Sequence, residues 1–125
     1  MSSLSTTLLK TGLSALHYSG AARLLAPFAR GEGAIFMLHH VSPEPQGEFA
    51  PNRLLTITPE FLDSVISEVK AAGLEIVSLD EAHARMTGAR PSGRPFACFT
   101  FDDGYRDNRD FALPVLRKHN VPCTI

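Results

Sequence analysis

Apolar and polar positions along the chain fall into two alternating patterns. Leu4, Leu8, Leu9, Leu13 and Leu16 recur at helical spacing, which predicts an amphipathic helix near the start, packed on its own domain. Every residue from Ala34 to Leu38 is apolar, which suits a strand covered on both faces, as in a parallel sheet. Thr58-Pro59-Glu60 then opens a helix. Threonine caps the free amides, proline is tolerated at the first helical position, and glutamate favours the positive end of the dipole. Phe61, Leu62, Val65, Ile66 and Val69 form one apolar stripe, and Gly73 supplies the stop.

Leu74 to Val77 reads as a short strand. Ser78 and Glu81 have capping-box spacing and predict a second helix that ends near Gly88. Phe96 to Phe101 is a second doubly buried strand. Asn108 to His119 is helical in pattern, restarting or kinking at Pro114, with Asn120 as C-cap and a further strand from Val121. Strands alternating with helices predict an α/β fold with a mainly parallel sheet. Two stretches lack periodicity: Ser42 to Asn52, a long surface loop of the kind that is often functional, and the turn-rich connector from Ala89 to Pro95.

The expected organisation is an N-terminal helical segment, 1–30, followed by a partial domain, 31–125. About four strands are present, whereas a closed (β/α) barrel takes about 250 residues. Pro122 to Ile125 lies within an apolar strand, which reads as an incomplete domain with an open edge.

Composition narrows the function classes. With 44% hydrophobic and 20% charged residues the chain is globular in type, and a net charge of -1 without any basic run excludes a nucleic-acid surface. Lys10 is the only early positive charge, and Gly12, His17, Gly20 and Arg23 interrupt the apolar stretch. This spoils both a signal-peptide core and a membrane span, so a cytoplasmic location is the default. The polar face of the first helix is not rich in lysine or arginine, so membrane contact is not expected. Cys98 and Cys123 sit in strand-like apolar runs; they suit buried inert thiols, although a pair of neighbours in the sheet stays open.

In parallel α/β folds ligands bind at the carboxyl ends of strands. Two strands here end in ionisable residues, one in His39-His40 and one in Asp102-Asp103. Adjacent side chains on an ideal strand diverge, but Gly104 permits a sharp turn that lets both carboxylates reach one pocket. Like charge raises the pKa of one carboxylate unless a cation intervenes, and a bound metal leaves one as ligand and the other as general base. A solvated turn at Asp102-Asp103-Gly104 and a hydrogen-bonded core histidine are the plainer alternatives.

The run Phe99-Thr-Phe-Asp-Asp-Gly-Tyr105, with Asp107-Asn108 and Ala112-Leu-Pro-Val-Leu116 after it, resembles the first signature of the polysaccharide deacetylase family, which shares the nodulation-protein-B homology domain. Thr58 to Leu79 is similar to the family segment before this motif, and Val121 to Ile125 to the strand after it. Met37-Leu-His-His-Val41 resembles the Tyr-His-x-Val element of the branch acting on poly-N-acetylglucosamine. Here Leu38 replaces the tyrosine, and His40 stands where arginine or aspartate is common.

The resemblance implies the first part of a distorted (β/α) barrel preceded by N-terminal helices. It also implies metal-dependent hydrolysis of N-acetyl groups on a hexosamine polymer or oligosaccharide. Asp102 matches the catalytic base, Asp103 the aspartate that binds a divalent metal, usually zinc, and His39 the histidine proposed as general acid.

The family completes its metal site with two histidines spaced on a helical turn downstream. His17, His39, His40, His83 and His119 include no such pair, so the chain by itself is expected neither to hold zinc tightly nor to hydrolyse anything. His83 and His119 read as solvated or packed helix residues. Two other classes remain as alternatives. One is a non-catalytic glycan-binding or interaction remnant of the same fold. The other is a magnesium-dependent phosphotransfer enzyme, disfavoured because no glycine-rich phosphate cradle accompanies the aspartates.

Overall fold

The structure is a computed structural model and describes residues 3–29, 31–43, 51–90 and 93–125. The chain divides into two compact units, Met1–Gly31 and Glu32–Ile125. The first holds helices α1 (Ser3–Tyr18) and α2 (Ala21–Ala29). Gly20, at φ 74, turns the chain between them, and Ser19 Oγ accepts from the amide of Ala21 to cap α2. The expected helix is present. In it Leu8, Leu9 and Leu13 are each more than half exposed. The side chain of Leu4 lies outside the described residues. No helix among the described residues is long and apolar enough to cross a membrane.

The second unit is built on a parallel sheet. Strand β1 (Gly33–Leu38) pairs along its whole length with the strand at Phe96–Phe101, Gly33 opposite Phe96 and Leu38 opposite Phe101. Before that partner come three two-residue strands: β2 (His40–Val41), β3 (Thr56–Ile57) and β4 (Glu75–Ile76). The long partner is thus β5, and β6 (Cys123–Thr124) follows it. β4 and β6 share the edge of β5 that β1 leaves free, β4 beside Phe96 and Ala97, β6 beside Phe99 and Thr100. β2 and β3 form a separate parallel pair, His40 opposite Thr56. Gly33 is required where it stands, because a Cβ there would lie 2.6 Å from the carbonyl oxygen of Phe96.

Helices flank both faces of β5. Leu62, Ile66 and Val69 of α3 (Pro59–Ala71) and Leu116 of α5 (Leu113–His119) pack with Ala97, Phe99 and Phe101. Ala82 of α4 (Leu79–Met86) packs with Phe96 and Cys98 on the other face. The expected double burial holds for β5. It does not hold for β1, whose Ile35 and Met37 are exposed while Phe36 and Leu38 face the core. β1 has a neighbour on one side only among the described strands, so a continuous apolar run did not mean two covered faces.

Local chemistry sets the helix ends. Thr58 Oγ1 accepts from the amide of Phe61, and the amides of Gly73 and Leu74 bond back to Lys70 and Val69 in a Schellman stop with Gly73 at φ 79. Ser78 Oγ accepts from Glu81, but the Glu81 carboxylate binds Arg85 and Arg90 rather than closing a capping box. Before Pro114 the helix widens into one π-helical turn, Asn108–Ala112. Proline lacks the amide for a regular bond, and the wider turn takes up the mismatch. Asn120, at φ 53, ends α5.

Candidate functional site

The site forms where β1 and β5 end. The amide of Asp102 donates to the carbonyl of Leu38 at 2.8 Å, extending the β1–β5 ladder one step beyond the strand. The chain then reverses through two successive left-handed residues, Asp103 at φ 66 and Gly104 at φ 60. Glycine takes this conformation freely, and aspartate is among the few side chains that tolerate it. The expected turn is therefore present, with Asp103 itself taking part in the reversal. Asp102 is half-buried and Asp103 exposed.

A second strand end meets this turn from the side. His40 Nδ1 lies 2.7 Å from Asp107 Oδ2, with the two side chains 14% and 21% exposed. A carboxylate can only accept, so Nδ1 carries the proton, and the amide of Asn52 donates to Nε2 at 3.3 Å. The His40 ring stacks on Tyr105, with centroids 3.7 Å apart and planes at 27°. Asn52 is anchored in turn, its carbonyl accepting from Thr56 Oγ1 and from the amide of Leu55. His39 is half-buried between β1 and β2, and its side chain makes no hydrogen bond to another described residue.

Sequence reasoning named Asp102, Asp103 and His39, and it gave His40 no role. Tyr105 and Asp107 belonged to the quoted motif without a role, and Asn52 to the loop. A pair separated by 67 positions has no local signal; the inward polar residue of a very short strand was the one available cue.

Three buried polar atoms beside this cluster lack partners among the described residues: Asp107 Oδ1 and both polar side-chain atoms of Asn108, a residue 3% exposed. An orphaned buried polar atom costs about 1–3 kcal/mol. The Tyr105 hydroxyl is held above its ordinary range. The charge of Asp103 is the main cause, followed by burial, a hydrogen-bonding contribution from Asp103 and the charge of Asp107. Ionising the phenol would put a second negative charge beside Asp103, so the sign is upward. In a Tyr18→Phe background the ultraviolet titration of Tyr105 is expected above the ordinary value near 10. Asp103→Asn should bring it down, and a midpoint that ignores Asp103→Asn contradicts the placement.

The other histidines and the cysteines have structural surroundings. His119 Nε2 lies 2.8 Å from Asp63 Oδ1, which Lys118 also contacts, and His83 is exposed. Cys98 and Cys123 are free, with burial pushing both thiols up and so keeping them un-ionised.

A catalytic zinc takes three protein ligands. Among the described residues no group of three histidine, cysteine, aspartate or glutamate side chains stands close enough to hold a metal ion. These residues alone do not fit the metal that the motif implies.

The sheet and its flanking helices are similar in fold to part of three solved deacetylases. The de-N-acetylase from Aggregatibacter actinomycetemcomitans superposes with a TM-score of 0.59 over 73% of this chain at 22% identity. IcaB from Ammonifex degensii gives 0.64 over 74% at 22%, and the Streptococcus pyogenes deacetylase PplD, solved with acetate, 0.58 over 72% at 21%. The likeness is one of fold, and the chain spans only 35%, 36% and 39% of those three structures in the same order. No protein-family model and no curated protein matches the sequence.

Proposed function

We propose that this chain carries part of a site that removes N-acetyl groups from hexosamine glycans. The observation behind the reading is the pair Asp102-Asp103, set on a left-handed turn at the carboxyl end of β5 in a fold shared with de-N-acetylases. Hydrolysis of an amide needs a base for the attacking water and an acid for the departing amine. Asp102, half-buried at the strand end, is assigned as the base. His39 is assigned as the proton donor, and Asp103 as the carboxylate that would face a divalent metal such as zinc. No step is derived through that metal, since the described residues do not assemble its ligands.

The lack of a three-ligand cluster among the described residues favours a second reading, a glycan-binding remnant that kept the turn without catalysis. Under either reading, calorimetry on the 125 residues is expected to give a zinc affinity weaker than micromolar, and a micromolar or tighter constant contradicts this account of the ligands. The two readings part on turnover. A chimera in which these residues replace the matching third of a solved de-N-acetylase should release labelled acetate if the turn is catalytic, and none if it only binds.

A further inference from the structure

Asp103 holds a left-handed backbone with an ordinary side chain. Such conformations persist where the surroundings over-determine them. On the entry side, the bond from the Asp102 amide to Leu38 fixes the turn to β1. On the exit side, residues 103–108 make a single side-chain hydrogen bond to another element among the described residues, that from His40 to Asp107. Asp107 Oδ1 and the Asn108 amide group, buried without partners among the described residues, add no tether there. His40 also lies flat on Tyr105, the residue just after the Asp103-Gly104 reversal. It therefore touches the exit twice, at Tyr105 and at Asp107. The imidazole is not free to swing away, since Asn52 holds its far nitrogen and β3 holds its backbone.

We propose that His40 is the positioning residue of the Asp102-Asp103 turn, clamping its exit through Tyr105 and Asp107 while Asn52 fixes the ring. Its purpose rests on the reading of Asp102 and Asp103 as the reacting pair; its geometry does not. The ring must be flat to stack on Tyr105 and must carry a donor for Asp107. Histidine meets both needs.

The test uses nuclear magnetic resonance on the chain without glycan or metal. A left-handed residue has a short distance between its amide proton and its own α proton, and so a strong cross-relaxation signal. Asp103 and Asn120 are the two such residues with side chains among those described, and Asn120 lies at the end of α5, away from the turn. His40→Ala is expected to lose the Asp103 signal and keep that of Asn120. A folded His40→Ala in which Asp103 keeps its signal overturns the proposal.

If both signals vanish the variant has unfolded, and His40→Phe with Asp107→Asn then divides the clamp. Phenylalanine keeps the stack without the donor, and asparagine keeps the shape without the charge. Each should weaken the Asp103 signal with Asn120 intact, and an unchanged Asp103 in both overturns the proposal. Nitrogen shifts of His40 supply a readout that mere packing would not move. The proton is expected on Nδ1, a preference that Asp107→Ala should weaken by removing the acceptor, and a wild-type proton on Nε2 also overturns the clamp. Because no substrate enters, failure here is distinct from failure of the deacetylation reading.

Discussion

Phe99→Ala is expected to destabilise the second unit by about 3–5 kcal/mol, the usual cost of emptying a buried aromatic site. Phe99 is 0% exposed and sits midway along β5, the strand to which β1, β4 and β6 all pair. Its ring stacks on Phe36 of β1, with centroids 5.1 Å apart and planes at 16°. It belongs to the same core cluster as Leu62 and Ile66 of α3 and Leu116 of α5, so deleting it leaves a void bordered by three elements that cannot all collapse inward. A domain is stable by only about 5–15 kcal/mol, so the loss is a large share of the total. Urea unfolding measures it, and Phe61→Ala is the control. Phe61 was placed in the same stripe by spacing, yet it is 56% exposed and should shift stability by no more than about 0.5 kcal/mol. Equal losses for the two variants contradict the core described above.

The second large effect concerns chemistry. In the chimera, Asp102→Asn is expected to lower acetate release by roughly 10²–10⁴-fold, the range that a positioned general base contributes. Asparagine keeps the size and the backbone bond to Leu38 but takes no proton. KM should change little, because the loss falls on the chemical step and not on glycan binding. Asp103→Asn separates the two carboxylates: if Asp103 faces the metal, its loss is rescued in part by raising metal concentration, whereas Asp102→Asn is not. Equal, metal-insensitive losses in the two variants contradict the division of roles.

Much of the fold was legible because local chemistry and tertiary packing agree in it. Thr58, Pro59 and Gly73 bound α3 as read, and Pro114 distorts the helix where a missing amide must be absorbed. The failures share one cause: apolar content does not say what covers it. Ile35 and Met37 sit in a run as apolar as that of β5 yet lie open, and Phe61 is exposed although spacing placed it in the α3 stripe. At the site, the motif located the turn because strand, carboxylates and glycine are contiguous. The partners of His40 were not legible, since Asn52 and Asp107 reach it only after the chain has folded. The turn that Gly104 was read to permit is present, and Asp103 shares its left-handed conformation.

The central claim is that the Asp102-Asp103 turn belongs to a site for N-acetylated glycans. Backbone amide shifts of this chain, followed while an N-acetylglucosamine oligosaccharide and its fully de-N-acetylated counterpart are titrated in turn, test it most directly. The expected result is movement confined to His39, His40 and the residues from Asp102 to Tyr105, with the acetylated oligosaccharide only. Equal response to both oligosaccharides, or movement elsewhere with the turn unaffected, contradicts the account.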